Sequence, residues 1–298
     1  MDLFKGENVI EYQKHFNNDD KCKEYLAQIK WSNGFQCPVC NHDQYYNGHK
    51  SHSRVCKKCR RIDSATANTL FHKVKFGLHK AFWIVFEMSC STKSISSTQV
   101  AKRVGITQKT AWLFMQKVRC AMGSSRQFPL EGKVEVDEFV IGSKEKGKQG
   151  RSRNSKKKKV VCAVELTQQN KIKRFYALPI ADYSADELSV LFDHHISDDA
   201  QVTTDKWSAY QVLASQYNIE QILSNQGKNF PQTHIMIASL KSWLRTIPSH
   251  VSSKHLKKYL DEFSYRINRS IFKETIFHNL LERMTNHHLT TWKNIVNT

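Results

Sequence analysis

The sequence predicts an α/β protein in which a metal-stapled ribbon and a helical segment precede a sheet core, and three observations carry that expectation. Two C-x-x-C pairs, Cys37/Cys40 and Cys56/Cys59, stand with fifteen residues between them. Residues 97–122 read as two helices around a turn at Gly105. From Lys133 the pattern runs three strands, helix, strand, helix, strand, helix, the order of a sheet with helices on its faces. At 298 residues the chain has room for two domains or one with appendages.

Charge narrows the partners. With 46 Lys plus Arg against 27 Asp plus Glu, the net charge is +19, which favours a polyanion, nucleic acid before an anionic membrane. No apolar run reaches the ~18 residues of a membrane span, and MDLFKGENVIEYQKHF lacks the basic start and apolar core of a signal peptide. The expectation is a soluble, cytoplasmic, nucleoid-associated protein without a membrane partner. Cys22, Cys90, Cys120 and Cys162 are scattered singly and read as free thiols.

In chain order, residues 1–34 form a helical lead-in, with Tyr25, Leu26, Ile29 and Trp31 as an apolar stripe. Residues 35–62 form a zinc ribbon. Each C-x-x-C turn aims two thiolates at one point, so Cys37, Cys40, Cys56 and Cys59 complete a closed, structural Zn2+ site. Lys50, Arg54, Lys57, Lys58, Arg60 and Arg61 give it a basic face suited to phosphates. The segment 76–122 opens with a buried helix, HKAFWIVFEMSC, followed by a helix-turn-helix pattern. Val100, Ala101 and Val104 face the core before Gly105, and Thr107 caps a helix bearing Ala111, Trp112 and Met115. Gln108, Lys109 and Thr110 then stand where base edges are read. A plain helical hairpin has the same periodicity, so both readings stand.

GSSRQFPLEGK marks the boundary to a core spanning 131–270, with a helical tail at 271–298. KVEVDEFVIG is the first strand, and its alternation puts Glu135 and Asp137 opposite Val134 and Val136. The run 144–159 has nine basic residues against one acid; it reads as a solvated loop, or, with Lys156, Lys157, Lys158 and Lys159 beside a carboxylate, as a phosphate clamp. Strands follow at 160–166 and 173–180. Ser184 and Glu187 form a capping box, AQVTTD is a strand ending at Asp205, WSAYQVLASQY a helix, IEQILSN a strand, and two helices close the core. This is the element order of an RNase H-like core.

In such a core Asp137 and Asp205 lie on neighbouring strands and can share two Mg2+ ions; Asp205 also reads as the cap of the helix after it. VEVDEFVIGSKEKGKQGR, TDKWSAY, HIMIASLKSWLRT and YLDEFSYRINRS, behind the ribbon and helix pair, closely resemble transposases of the IS1595 family, also called ISXO2-like, over residues 30–270. The resemblance implies a DDE-type, RNase H-like nuclease and strand-transfer enzyme. It implies action on the inverted-repeat ends of an insertion sequence, dependence on Mg2+ or Mn2+, and a homo-oligomer on double-stranded DNA. Asp137 and Asp205 match the family's first two catalytic aspartates. The third position departs from the pattern H-x-x-I-S-N-L-K, which has Glu for Asn in some subgroups, because Ser239 stands there. Either Ser239 acts through a water, or another acid substitutes, or the copy is impaired. Glu262 is a candidate substitute, against a plainer pairing with Arg266 four residues on; His234 is a metal-region, DNA or packing residue. Lys241 and Arg245 join the basic loop as phosphate contacts. The other class is a DNA-binding regulator or transposase relic without nuclease activity.

Overall fold

The structure, a computed structural model, describes residues 4–6, 8–91, 93–142, 156–247, 251–288 and 290–297. Of the basic run at 144–159, only Lys156–Lys159 fall within them. The chain divides into two compact units, residues 1–122 with 271–298, and residues 123–270.

The first unit opens with α1 (Val9–His15) and α2 (Asp19–Lys30), then a three-stranded antiparallel sheet of β1 (Tyr45–Asn47), β2 (Ser53–Cys56) and β3 (Ile62–Ser64). Three helices follow, α3 (Leu78–Cys90), α4 (Ser97–Val104) and α5 (Gln108–Met122). Local chemistry sets their ends. Asn18 accepts the N–H groups of Asp20 and Lys21 at the start of α2. Ser96 and Gln99 form a reciprocal capping box on α4, and Gly105 ends it in the left-handed region, φ 66°. Lys30 Nζ ties α2 to the ribbon, donating to Asp63 Oδ1 at 2.7 Å and to the carbonyls of Ser64 and Ala67 at 2.8 Å.

The second unit begins with β4 (Lys133–Ile141), β5 (Lys158–Leu166) and β6 (Ile172–Ile180), followed by α6 (Ala185–His195), β7 (Gln201–Thr204), α7 (Ser208–Leu213) and β8 (Ile219–Gln221). It closes with α8 (Pro231–Arg245) and α9 (Ser253–Asn268). The sheet order is β6-β5-β4-β7-β8, with β4, β5 and β6 antiparallel and β4, β7 and β8 parallel. Both faces are covered. Phe139, Val160, Cys162 and Phe175 pack under α8 and α9, whereas Val134, Val136 and Val161 pack under α6 and α7. That double cover explains why β5 reads as an apolar run rather than an alternation.

Three local expectations change. The helix expected at 207–217 is shorter, Ser208–Leu213, and the strand after it is only Ile219–Gln221. The capping box at Ser184 is half formed. Ser184 accepts the Glu187 N–H, but the Glu187 carboxylate accepts from Ala181, while the Ser184 N–H goes to Asp182.

The helices after the core return to the first unit as α10 (Lys273–Asn286) and α11 (Trp292–Asn297). Phe277 on α10 lies 5.6–6.1 Å from the rings of Phe4, Tyr12, Phe16, Phe82 and Phe86. A segment read as a tail therefore supplies the centre of an aromatic core. Phe277→Ala should cost about 3–5 kcal/mol in urea unfolding, whereas Ile271→Ala, at an 81% exposed position, should stay within about 0.5 kcal/mol.

His195 gives the second unit a pH dependence. It is 6% exposed, and its ring stacks on Tyr176 at 4.6 Å. Burial, helped by the charges of Lys257, His194 and Arg126, lowers its pKa from 6.5 to about 4. The unfolded chain takes up this proton first as pH falls. The stability from keeping His195 neutral is thus complete above pH 6.5 and is lost on descent towards pH 4, by up to about 3 kcal/mol. Unfolding midpoints measured across that window should fall less steeply in His195→Phe than in the wild type.

Candidate metal centres

The ribbon cysteines converge as their spacing predicts. Cys37 Sγ lies 3.5 Å from Cys59 Sγ, and Cys40 Sγ 3.6 Å from Cys56 Sγ. Tetrahedral Zn–S bonds of about 2.3 Å require sulfur separations near ~3.8 Å, so the four thiolates fit Zn2+. The two knuckles repeat one backbone solution. The Asn41 N–H returns to the Cys37 carbonyl and the Arg60 N–H to that of Cys56, both at 3.0 Å, with Asn41 and Arg60 left-handed at φ 58° and 60°. Burial raises the Cys37 thiol, but the backbone N–H groups of Cys40 and Val39 prevail and bring it to about 6. On the ribbon surface the Arg54 guanidinium sits between the Trp31 ring at 4.2 Å and the Tyr45 ring at 4.1 Å.

The second cluster is built by strand register. Lys133, Val134 and Glu135 on β4 pair with Gln201, Val202 and Thr203 on parallel β7. Two residues further, at the end of β7, Asp137 and Asp205 come level. Their carboxylates form a group with that of Glu138 in which the potential ligand oxygens all lie within 4.8 Å of one another. All three side chains are partly buried. Hydrogen bonds fix the carboxylates. Asp137 Oδ1 accepts the Glu138 N–H at 2.8 Å, and Asp205 Oδ1 accepts the Trp207 N–H at 3.0 Å, while Gln221 Nε2 donates to the Asp205 and Trp207 carbonyls. Asp205 is thus a turn-capping residue and a member of the cluster at once.

Glu138 was not expected at this site, because strict alternation sends it to the sheet face opposite Asp137. Its carboxylate indeed acts on Tyr210, whose hydroxyl is raised by burial and then by Glu138. The ladder between β4 and β7 stops at Glu135, and the three carboxylates gather just beyond that end.

The N-terminus of α8 is pinned to β4 by Thr233, whose hydroxyl donates to Glu135 Oε2 at 2.5 Å. Along α8, His234 Nε2 lies 3.5 Å from Asp137 Oδ2, and Lys241 stands 5.2 Å from the Phe139 ring. Burial lowers the pKa of Lys241, against the pull of Asp137, with Arg245 and Lys157 as nearby like charges. Ser239 is exposed and, five residues after His234, stands about 140° around the helix from it. Glu262 is fully buried and pairs with Arg266 at 3.7 Å; among the described residues it is outside the acidic group.

Residues 129–268 match the profile of the ISXO2-like transposase domain of IS1595 elements, and residues 17–62 match that of its transposase zinc-ribbon domain. The chain belongs to the IS1595, ISXO2-like, transposase family. An uncharacterized protein in transposable element ISH50 of Halobacterium salinarum is 25% identical over 285 residues, 88% of this chain and 94% of that protein. Two solved structures, a pre-cleavage Mos1 transpososome and a Mos1 mariner paired-end complex with Mn, are 12% identical and cover 66% of this chain and 76% of theirs. Their TM-scores are 0.28 and 0.26, too low to position any residue.

In this IS1595 transposase the zinc-ribbon match begins at residue 17 and takes in α2, consistent with the Lys30 and Trp31 contacts to the ribbon. Of the other DNA-contact candidates, Gln108 and Lys109 are exposed at the start of α5, Gln108 donates to Ser97 Oγ at 2.8 Å, and Thr110 is half-buried. Lys156 is exposed, Lys157 flanks Gly142, and Lys158 and Lys159 donate to the carbonyls of Val251 and Ala181. No helix among the described residues is long and apolar enough to cross a membrane. Cys56→Ser should lower bound zinc from about one ion per chain to near zero by metal analysis and should unfold the ribbon, since such sites supply folding free energy.

Proposed function

We propose that the chain is a DDE-type transposase that binds the terminal inverted repeats of its insertion sequence and catalyses Mg2+- or Mn2+-dependent strand cleavage and transfer on an RNase H-like core. The observation that carries this reading is the convergence of Asp137, Glu138 and Asp205 within 4.8 Å at the end of the parallel β4/β7 pair. The sheet order, with three antiparallel strands joined to two parallel ones, supports the RNase H-like assignment.

Hard divalent cations take carboxylate oxygens, and three carboxylates on a rigid strand end suit them. When bound, the metal ions would act as Lewis acids, activating an attacking hydroxyl and stabilising the leaving oxygen of a phosphodiester. Asp137 and Asp205 hold the ions, with Glu138 as the third carboxylate where Ser239 offers only a hydroxyl. Lys157, Lys241 and Arg245 neutralise backbone phosphates near these carboxylates. The zinc ribbon and the α4/α5 pair read the transposon ends, with Gln108, Lys109 and Thr110 at base edges, and the enzyme works as a homo-oligomer on paired ends.

A second reading, a chain that binds ends without cutting them, is favoured by the neutral Ser239. Cleavage of terminal-repeat DNA in Mg2+ separates the two. Wild type should cut, Asp137→Ala and Asp205→Ala should lose at least about 100-fold, and Glu138→Gln should lose more than Ser239→Ala. Cutting that survives Asp137→Ala removes the mechanism. Failure of wild type to cut, with activity gained in Ser239→Asn, makes the chain an impaired copy.

A further inference from the structure

Residues Ser224–Phe230, between β8 and α8, contain three successive positive φ angles, 48° at Asn225, 56° at Gln226 and 85° at Gly227. Asn225 and Gly227 enter this region readily, whereas Gln226 does not, so the turn is held at Gln226 by its surroundings. Its bonds are dense. The Gly227 N–H donates to the Ser224 carbonyl and hydroxyl, the Asn229 side chain donates to the Leu223 carbonyl, and the Phe230 N–H donates to the Gly227 carbonyl. The Phe230 carbonyl then accepts the His234 N–H at 3.0 Å, so turn and helix start form one piece.

The turn is aimed at a single side chain. A Cβ at Gly227 would stand 2.5 Å from His234 Cε1 and Nε2 and 2.9 Å from Nδ1. Only a residue without a side chain lets the turn close onto that ring. The same ring presents Nε2 to Asp137 Oδ2 at 3.5 Å, while Asp137 Oδ1 is already held by the Glu138 N–H. An Asp carboxylate otherwise turns about its last torsion within a broad well; the Glu138 N–H on one oxygen and the imidazole close to the other narrow that freedom.

We propose that His234 is a positioning residue that acts through Asp137, and that the 224–230 turn, by way of Gly227, clamps its ring so that the Asp137 carboxylate keeps the orientation the metal site needs. This rests on the reading of Asp137, Glu138 and Asp205 as metal ligands. It gives His234 a defined task, and it makes Gly227 part of the site although it carries no functional group.

The test is Mn2+ titration of the full, zinc-loaded chain without DNA, read by electron paramagnetic resonance. His234→Ala should weaken Mn2+ binding about tenfold, the lower end of what loss of an outer-shell partner costs. Gly227→Ala should weaken it comparably. In the double variant the loss should not exceed that of either single change, because both remove one clamp. His234→Gln, whose side-chain amide reaches about as far as Nε2, should restore most of the affinity, which a packing role would not explain. Unfolding midpoints recorded in parallel separate the backbone strain of Gly227→Ala, present in both backgrounds, from the metal effect. Wild-type affinity in His234→Ala overturns the proposal, and additive losses in the double variant overturn the clamp. Undiminished Mn2+ binding in Asp137→Ala removes the metal reading, and this inference falls with it.

Discussion

The catalytic reading depends on one short parallel ladder. Three residue pairs, Lys133/Gln201, Val134/Val202 and Glu135/Thr203, fix β4 against β7, and everything at the acidic cluster follows from where that ladder stops. Because parallel register advances both strands together, Asp137 and Asp205 must arrive level two residues later. A slip of one residue would send one aspartate to the other face. The ladder is protected from slipping by burial, with Val134 and Val202 at 1% and 2% exposure in one apolar cluster under α6 and α7.

Much of this was legible in the sequence, for identifiable reasons. The paired cysteines were readable because two C-x-x-C turns leave few geometries for four thiolates. The core strands and Asp205 were readable because apolar runs and turn residues alternate cleanly from Lys133 onward. Glu138 was not, since alternation places it on the face opposite Asp137, yet its carboxylate reaches the same group. The role of α10 was also hidden. Its sequence, KETIFHNLLERMTN, announces an amphipathic helix, but nothing local says that Phe277 closes an aromatic core begun by Phe4 and Tyr12 more than 260 residues earlier. Such non-local pairing is set by shape and burial, which periodicity does not encode.

Ser239 illustrates a different limit. Matching a motif assigns it by counting from His234, whereas the helix assigns faces by angle. Five positions carry it about 140° from the ring that meets Asp137, and Lys241, seven positions on, returns to within about 20° of that ring. The side of α8 turned to Asp137 therefore presents an imidazole and an ammonium rather than a third acid. Pattern and periodicity thus weigh differently on position 239, and substitution there measures which of them governs.

Electrostatics explain why this arrangement is itself informative. Ionised carboxylates within 4.8 Å of one another repel, by about 3 kcal/mol or more per pair as a bare Coulomb sum at an effective dielectric of ~20. Folding gains nothing from that repulsion, so the cluster persists only because other parts of the chain hold it. The Glu138 and Trp207 N–H groups, Gln221 and the Thr233 bond to Glu135 are all fixed by backbone or helix starts around it. Lys241 stays beside Asp137 although burial disfavours its charge. Acids gathered against their mutual repulsion, and a lysine kept where desolvation opposes its charge, are the kind of arrangement that functional sites hold and that stability alone does not select.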